Sequence, residues 1–383
     1  MLRQEAASHE RVDGRESPAA DGPPSAALKQ NAGARLKVLI DLQHPAHLYF
    51  FLNLVRRLRQ DGHEVVVTAR DKDVLLTLCR ESGIEVEQFG EAKPGMLRMG
   101  MELVERQARL LGILRRQRPS LCLAVAGTYL SLPAKWAGVP CYVFYDTEHA
   151  TLSNLLSYPF CTCVYVPESY SKPIRWPHVR YAGFHELAYL HPDVFEPEAT
   201  VLDEAGIAPA EKFAIVRFVG WGAAHDLGRR GLSADDKLRA VERISSLARV
   251  VVSSEGPLPD ALEPLRLRIR PSRLHHLMSF ASLVFGESGT MPSEAAMLGV
   301  PSVYVNPLRL GYLEELRHRY GLVSIFQPPE GFDAAVGRAE EILRSGDRTT
   351  WQAARRRLLA EKINVAEMLY ELVLAREAEP RPT

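Results

Sequence analysis

At 383 residues the chain is too long for one hydrophobic core and is expected to hold two domains. Its 47 basic residues balance 47 acidic ones, which leaves no global field to attract nucleic acid. Five cysteines, sparse and odd in number, argue against a disulfide framework and for a reducing, cytoplasmic setting, and no apolar run reaches the length of a membrane span.

Residues 1–35 are rich in Ala, Pro, Gly, Ser and charge and nearly lack large apolar side chains. Such a segment cannot bury enough surface to order itself, and it has no signal-peptide core, so a disordered tail is expected. From Leu36 onward strand and helix periods alternate. LKVLIDL (36–42) reads as a buried strand. Residues 47–60 space Leu48, Phe51, Leu52, Val55 and Leu58 on one helical face, with the helix starting near His47. HEVVVTAR (63–70) is a second strand, 71–82 a helix ending at Gly83, and IEVEQF (84–89) a third strand.

In residues 96–118 Met and Leu are interleaved with six Arg and two Glu. This is either an interior-facing helix with a solvated basic face or a basic amphipathic helix making peripheral contact with a membrane. LCLAVAG (121–127), PCYVFYD (140–146) and CTCVYVP (161–167) complete the first set of strands. The Pro-rich stretch 170–200 reads as an irregular linker. A second series follows with KFAIVRFVG (212–220), ARVVVSS (248–254), LRLRI (265–269), SLVFG (282–286) and PSVYVN (301–306), and then an amphipathic helical end over roughly 347–377. The fold class is therefore α/β, with two doubly wound Rossmann-like domains, 36–195 and 196–383, facing a central cleft. Ligands in such sheets bind beyond the carboxyl ends of the strands.

GESGTMPSEAAMLGVP (286–301) follows a strand with a small-residue turn and a helix. Free amides at that helix start suit a phosphate, with Ser288, Gly289 and Thr290 at the turn and Glu294 one turn in, where it can accept ribose hydroxyls. The alternative is an ordinary turn capped by Ser288 or Thr290. His44 and His47 follow the first strand. A histidine there can serve as general base, or can cap and pack; Asp41 either orients it or is structural. Asp146, Glu148 and His149 form a dense titratable group suited to acid/base work or to holding sugar hydroxyls. Arg217, and His225 in a glycine-rich loop, can face a diphosphate. In the string Arg70-Asp71-Lys72-Asp73 helix capping is favoured over metal binding. HELAYLH (185–191) lacks zinc-protease spacing, and no metal or cofactor is expected.

DLQHPAHLYFFLNLVRRLRQDGHEVVVTARD (41–71) and FGESGTMPSEAAMLGVPSVYVN (285–306) resemble the bacterial and archaeal family known as domain of unknown function 354. That family resembles the GT-B glycosyltransferases and the UDP-N-acetylglucosamine 2-epimerases. The resemblance implies a nucleotide-sugar in the cleft, diphosphate on Ser288, Gly289 and Thr290, ribose on Glu294, and a final helix that can cross back to the first domain. DTEHATLSN (146–154) resembles a cleft-facing segment of the lipid-linked N-acetylglucosaminyltransferase of peptidoglycan synthesis. HPAHLYFF (44–51) stands where that enzyme has a Gly-Gly-His loop, but without the glycines. Three functions are thereby implied. The first is a glycosyltransferase moving a sugar from a nucleotide-sugar, with UDP as nucleotide, to a surface-glycan or lipid-linked acceptor, with His47 or the Glu148/His149 pair taking the proton. The others are a 2-epimerase-like isomerase and a nucleotide-sugar-binding protein without catalysis.

Overall fold

The computed structural model describes residues 35–72, 74–91, 96–219, 231–254 and 256–375, and only the backbone of 88–91 and 96–99. The expected tail, Asp73, and the loop carrying His225 lie outside the described residues.

The first half runs β1 (Lys37–Leu42), α1 (Pro45–Gln60), β2 (Glu64–Asp71), α2 (Leu75–Glu81), β3 (Glu87–Glu91), α3 (Met96–Gln117), β4 (Leu121–Val125), α4 (Ser131–Ala137), β5 (Cys141–Phe144), α5 (Thr151–Ser157), β6 (Cys163–Pro167), β7 (His178–Tyr181), α6 (Leu187–Leu190) and α7 (Thr200–Glu204). The second runs β8 (Phe213–Phe218), α8 (Ala234–Ser245), β9 (Arg249–Ser254), α9 (Leu274–Phe280), β10 (Leu283–Gly286), α10 (Thr290–Leu298), β11 (Ser302–Val305), α11 (Gly311–Glu315), β12 (Val323–Phe326), α12 (Phe332–Ser345), α13 (Thr349–Glu361) and α14 (Val365–Ala375). The strands pair in parallel into a seven-stranded sheet, β3-β2-β1-β4-β5-β6-β7, and a five-stranded sheet, β12-β11-β10-β8-β9. The order reverses between β1 and β4 and between β8 and β10, so each sheet opens a crevice at that point.

Central strands read as unbroken apolar runs because helices cover both of their faces. One face of the first sheet packs Leu39, Cys122, Val143 and Val164 under Leu110, Ile113 and Leu114 of α3 and Ala134 of α4. Its other face packs Val38 and Ile40 under α1 and α6, and this core continues without a break through Met291, Ala295 and Leu298 to Ile215 and Val284 of the second sheet. A third core lies between the outer face of the second sheet and α8 and α12. Helix α10 stands between the sheets with every residue from Met291 to Leu298 buried, so it has no solvated face, and its polar side chains Ser293 and Glu294 are buried with hydrogen-bond partners. Helix α14 lies back on α1: Glu367 pairs with Arg57, and the Tyr370 hydroxyl donates to Asp61 at 2.6 Å.

Several local expectations change. Helix α1 begins two residues earlier than periodicity indicates, because Pro45 fits the first helical position and His44 caps it, its Nδ1 accepting from the Ala46 amide. Strand β2 runs on through Asp71, so that residue does not cap α2, whose N-cap is Val74 without a side-chain bond. The stretch 170–200 is no irregular linker: β7 adds an edge strand and α6 a buried turn. LRLRI forms no strand. Arg266 makes a single bridge to Val252, and 260–265, with Pro264 inside it, is a 3-10 helix.

Candidate functional site

The carboxyl edge of the first sheet is held by Asp41 at the end of β1. Its Oδ1 accepts from Thr68 Oγ1 at 2.7 Å and from the Arg106 guanidinium at 2.6 Å, and its Oδ2 from Gln43 Nε2 at 3.2 Å. The carboxylate therefore joins β1, β2 and α3 and orients no histidine. Beside it Ala126, just past β4, sits at φ +55°, a left-handed conformation that a non-glycine residue rarely holds. Its carbonyl accepts from Gln43 Nε2 at 3.4 Å, which fixes the crevice at the switch point.

His47 is half-buried on the first turn of α1, and its Nδ1 accepts from the Gln43 amide at 3.3 Å. Burial, and then the neighbouring His44 and His185, push its pKa well below the usual histidine value. A neutral ring with Nδ1 occupied carries its hydrogen on Nε2, so His47 presents a donor rather than a base.

A second group, which no sequence pattern singles out, is brought in by the turn before α6. His185 is buried, with Nδ1 3.4 Å from Asp146 Oδ2 and its ring against Phe50 and Tyr181. Burial lowers its pKa, against an opposing pull from Asp146. The adjacent Glu186 is also buried. Desolvation first, then the charges of Asp146 and Glu294, raise its carboxyl to about 8, although a bond to Ser293 works the other way. Ser293 Oγ is 2.5 Å from Glu186 Oε1 and ties α10 to this turn. The pair lies just past β7, a strand whose exposed residues give no apolar pattern, so the sequence carries no positional signal for it. The second His of HELAYLH, at 191, does not join it.

Glu148 and His149 project from the loop after β5 and meet the second half of the chain. Glu148 Oε1 accepts from the Ser171 amide at 3.2 Å and its hydroxyl at 3.3 Å, packed so closely on Gly311 that any side chain there would collide with it. His149 Nε2 donates to the Arg309 carbonyl at 2.7 Å.

On the second sheet, Gly286 at the end of β10 has φ +149° and lies against the Arg217 carbonyl of β8, where an added Cβ would collide with backbone. Arg217 donates to Ser253 Oγ at 2.6 Å. Ser288, Gly289 and Thr290 are half-exposed. Gly289 is the N-cap of α10, and no side chain caps that helix, so neither Ser288 nor Thr290 fills that place. The helix start therefore presents amides and a positive dipole end to the crevice. Glu294 is buried, and its Oε1 accepts from Tyr189 Oη at 2.9 Å and from His275 Nε2 at 2.9 Å. These partners come from the first-half turn and from α9. A ribose would have to reach the other carboxylate oxygen or displace one of them.

Four buried polar atoms in this region have no hydrogen-bond partner among the described residues: Tyr181 Oη, His185 Nε2, Glu148 Oε2 and Tyr304 Oη. Leaving such a group unpaired costs roughly 1–3 kcal/mol, a cost that a polar ligand or an ordered water offsets. Among the described residues no group of three His, Cys, Asp or Glu is placed to hold a metal ion.

Comparison with known proteins agrees with this frame. The uncharacterised protein MJ0665 of Methanocaldococcus jannaschii is 21% identical over 286 residues, covering 72% of this chain and 83% of that protein. The UDP-GlcNAc 2-epimerase of Neisseria meningitidis, solved with UDP-GlcNAc, superposes with TM-score 0.65 at 14% identity, covering 89% of this chain and all of the epimerase. The glycosyltransferase VinC, solved with dTDP, superposes with TM-score 0.58 at 16% identity over 90% of this chain and all of VinC. At such identities the likeness establishes the fold, which is GT-B. Residues 36–198 match the model of the family described as Protein of unknown function (DUF354), a span that takes in the whole first sheet and the His185-Glu186 turn.

Proposed function

We propose that the protein is a glycosyltransferase that takes a sugar from a nucleotide-sugar, with UDP as the nucleotide, and passes it to a glycan or lipid-linked acceptor. The observation that supports this most is the set of unpartnered buried atoms on Tyr181, His185, Glu148 and Tyr304. A sugar offers hydroxyls that both donate and accept, which is what two phenols, an imidazole and a carboxylate require.

The diphosphate lies on the uncapped start of α10, near Ser288, Gly289 and Thr290, with Arg217 behind it and Glu294 toward the ribose. His185, backed by Asp146, is the base. Its Nε2 takes the proton as the acceptor oxygen bonds to the anomeric carbon and the bond from that carbon to the diphosphate breaks. His47 donates through Nε2 to a sugar or phosphate oxygen. Glu148 and His149 keep the two halves in register. The test supplies UDP-sugars with and without candidate acceptors and measures nucleoside diphosphate release. Acceptor-dependent release supports transfer; release independent of every acceptor argues against it.

One observation favours an isomerase as second reading. A carboxyl raised to about 8 on Glu186 adjoins the neutral His185, an acid and a base in one cleft. Solvent deuterium appearing at sugar C2 without any acceptor would decide for it.

A further inference from the structure

Helices α3, α4 and α5 form the outer layer of the first sheet, on the face turned away from the second sheet. The five most exposed large apolar side chains among the described residues all lie there. They are Met101 and Val104 on α3, Trp136 on α4, and Leu152 and Leu155 on α5, each 61–67% exposed. On α3 the exposed stripe continues from Met101 and Val104 through Ala108 and Gly112 to Arg115. The helices are stitched together at the rim of the cleft: Gln107 Nε2 donates to the Thr128 carbonyl at 3.2 Å, and Thr128 Oγ1 meets Ser153 Oγ at 2.6 Å, beside Leu152. Helix α5 begins directly after the Asp146–His149 loop.

The charge of this layer differs from that of the neutral chain. Among the described side chains between residues 100 and 157 the exposed cations are Arg109, Arg115, Arg116, Arg118 and Lys135 and the exposed acid is Glu105; Arg109 pairs with Glu105 and Arg116 with Glu87. Two copies meeting face to face would set cation against cation. An anionic bilayer offers the opposite charge and an apolar interior for shallow side chains.

We infer that the α3–α5 layer is a docking surface for an anionic lipid bilayer, which sets the first-sheet side of the cleft against the membrane. No helix among the described residues is long and apolar enough to cross a membrane, so the contact is superficial. The inference is independent of the reaction proposed above, because it is read from binding alone.

The experiment is co-sedimentation of the full chain with vesicles of phosphatidylcholine, with and without about 30% phosphatidylglycerol. Paired variants Met101→Glu with Val104→Glu, and Leu152→Glu with Leu155→Glu, accompany it, and circular dichroism verifies their fold. Expected are binding to the anionic vesicles, loss at high salt, and roughly tenfold or greater weakening in each pair. Absence of binding to anionic vesicles, or binding unchanged in both folded pairs, overturns the inference. So does a dimer of the wild type, seen in ultracentrifugation, that both pairs abolish, since a second copy would then be the occupant.

Discussion

Ser293 Oγ faces two acceptors at once, Glu186 Oε1 at 2.5 Å and the Thr290 carbonyl at 2.7 Å, with a single hydrogen to give. Both contacts are satisfied when Glu186 keeps its proton: the acid donates to Ser293, and Ser293 donates to Thr290. The first turn of α10 is thus braced by a neutral carboxyl reaching across from the first half of the chain.

That proton has a consequence for stability. Glu186 is raised from 4.5 to about 8 in the fold, so the folded chain holds a proton that the unfolded chain releases. Its contribution is complete below pH 4.5 and declines as pH rises through about 8. Thermal melts should show the midpoint falling over that window. In Glu186→Gln, whose amide still donates to Ser293 and cannot ionise, that part of the slope should vanish. An identical slope in the variant would refute the assignment.

His47 and His185 carry the opposite sign. Both are lowered from 6.5, largely by burial, so the unfolded chain takes up protons there before the fold does. Their contribution is present above pH 6.5 and is lost as pH falls below it. In a proton NMR titration both imidazoles should keep their neutral chemical shifts from pH 8 down to pH 6.5. Either ring titrating at or above 6.5 would contradict the burial argument.

Removing the proposed base should separate chemistry from binding. His185→Ala is expected to reduce turnover by roughly 10²–10⁴-fold while changing nucleotide affinity little. Asp146→Asn should reproduce part of that loss. Thr290→Pro, which removes an amide at the start of α10, should instead weaken nucleotide binding. Calorimetric titration reads affinity and product release reads turnover. Full activity in His185→Ala would remove it as the base.

Gly286→Ala tests the close approach of β10 and β8. The new methyl would meet the Arg217 backbone at a φ of +149°, so the variant should lose about 3 kcal/mol or more in a urea titration. Gly311→Ala, which meets a movable Glu148 side chain as well as the Ser169 carbonyl, should cost less, about 1–3 kcal/mol.

Much of the frame was legible because its signals are local. KVLIDL, FAIVRF and LVFG are strands doubly covered by helices, and their unbroken apolar runs report it. Gly138 and Gly299, both left-handed, close their helices, the place where glycine is most common. The edge strand β7 was missed because His178, Val179 and Arg180 are exposed and interrupt any apolar pattern. LRLRI misled for the converse reason: alternation is present, but the segment meets β9 at a single bridge, Arg266 to Val252. Among the candidate residues, His44, His47, Glu148 and the 288–290 turn stand just past strand ends, as position alone indicates. The Asp146–His185 and Glu186–Ser293 pairings could not, since they join residues 39 and 107 positions apart. Nothing in the spacing of HELAYL says which of its polar side chains turns inward.

The return of α14 onto α1 has a bearing on how the chain is made. Arg57 and Glu367 are 310 positions apart, and Leu369 and Val373 are buried in the core that α1 shares. A chain leaving the ribosome therefore displays part of the flank of its first helix until α14, some 310 positions later, has emerged. The first sheet can pair early, but its packing closes late, so nascent chains should be sticky in this one place and should depend on chaperones to reach the α14 stage.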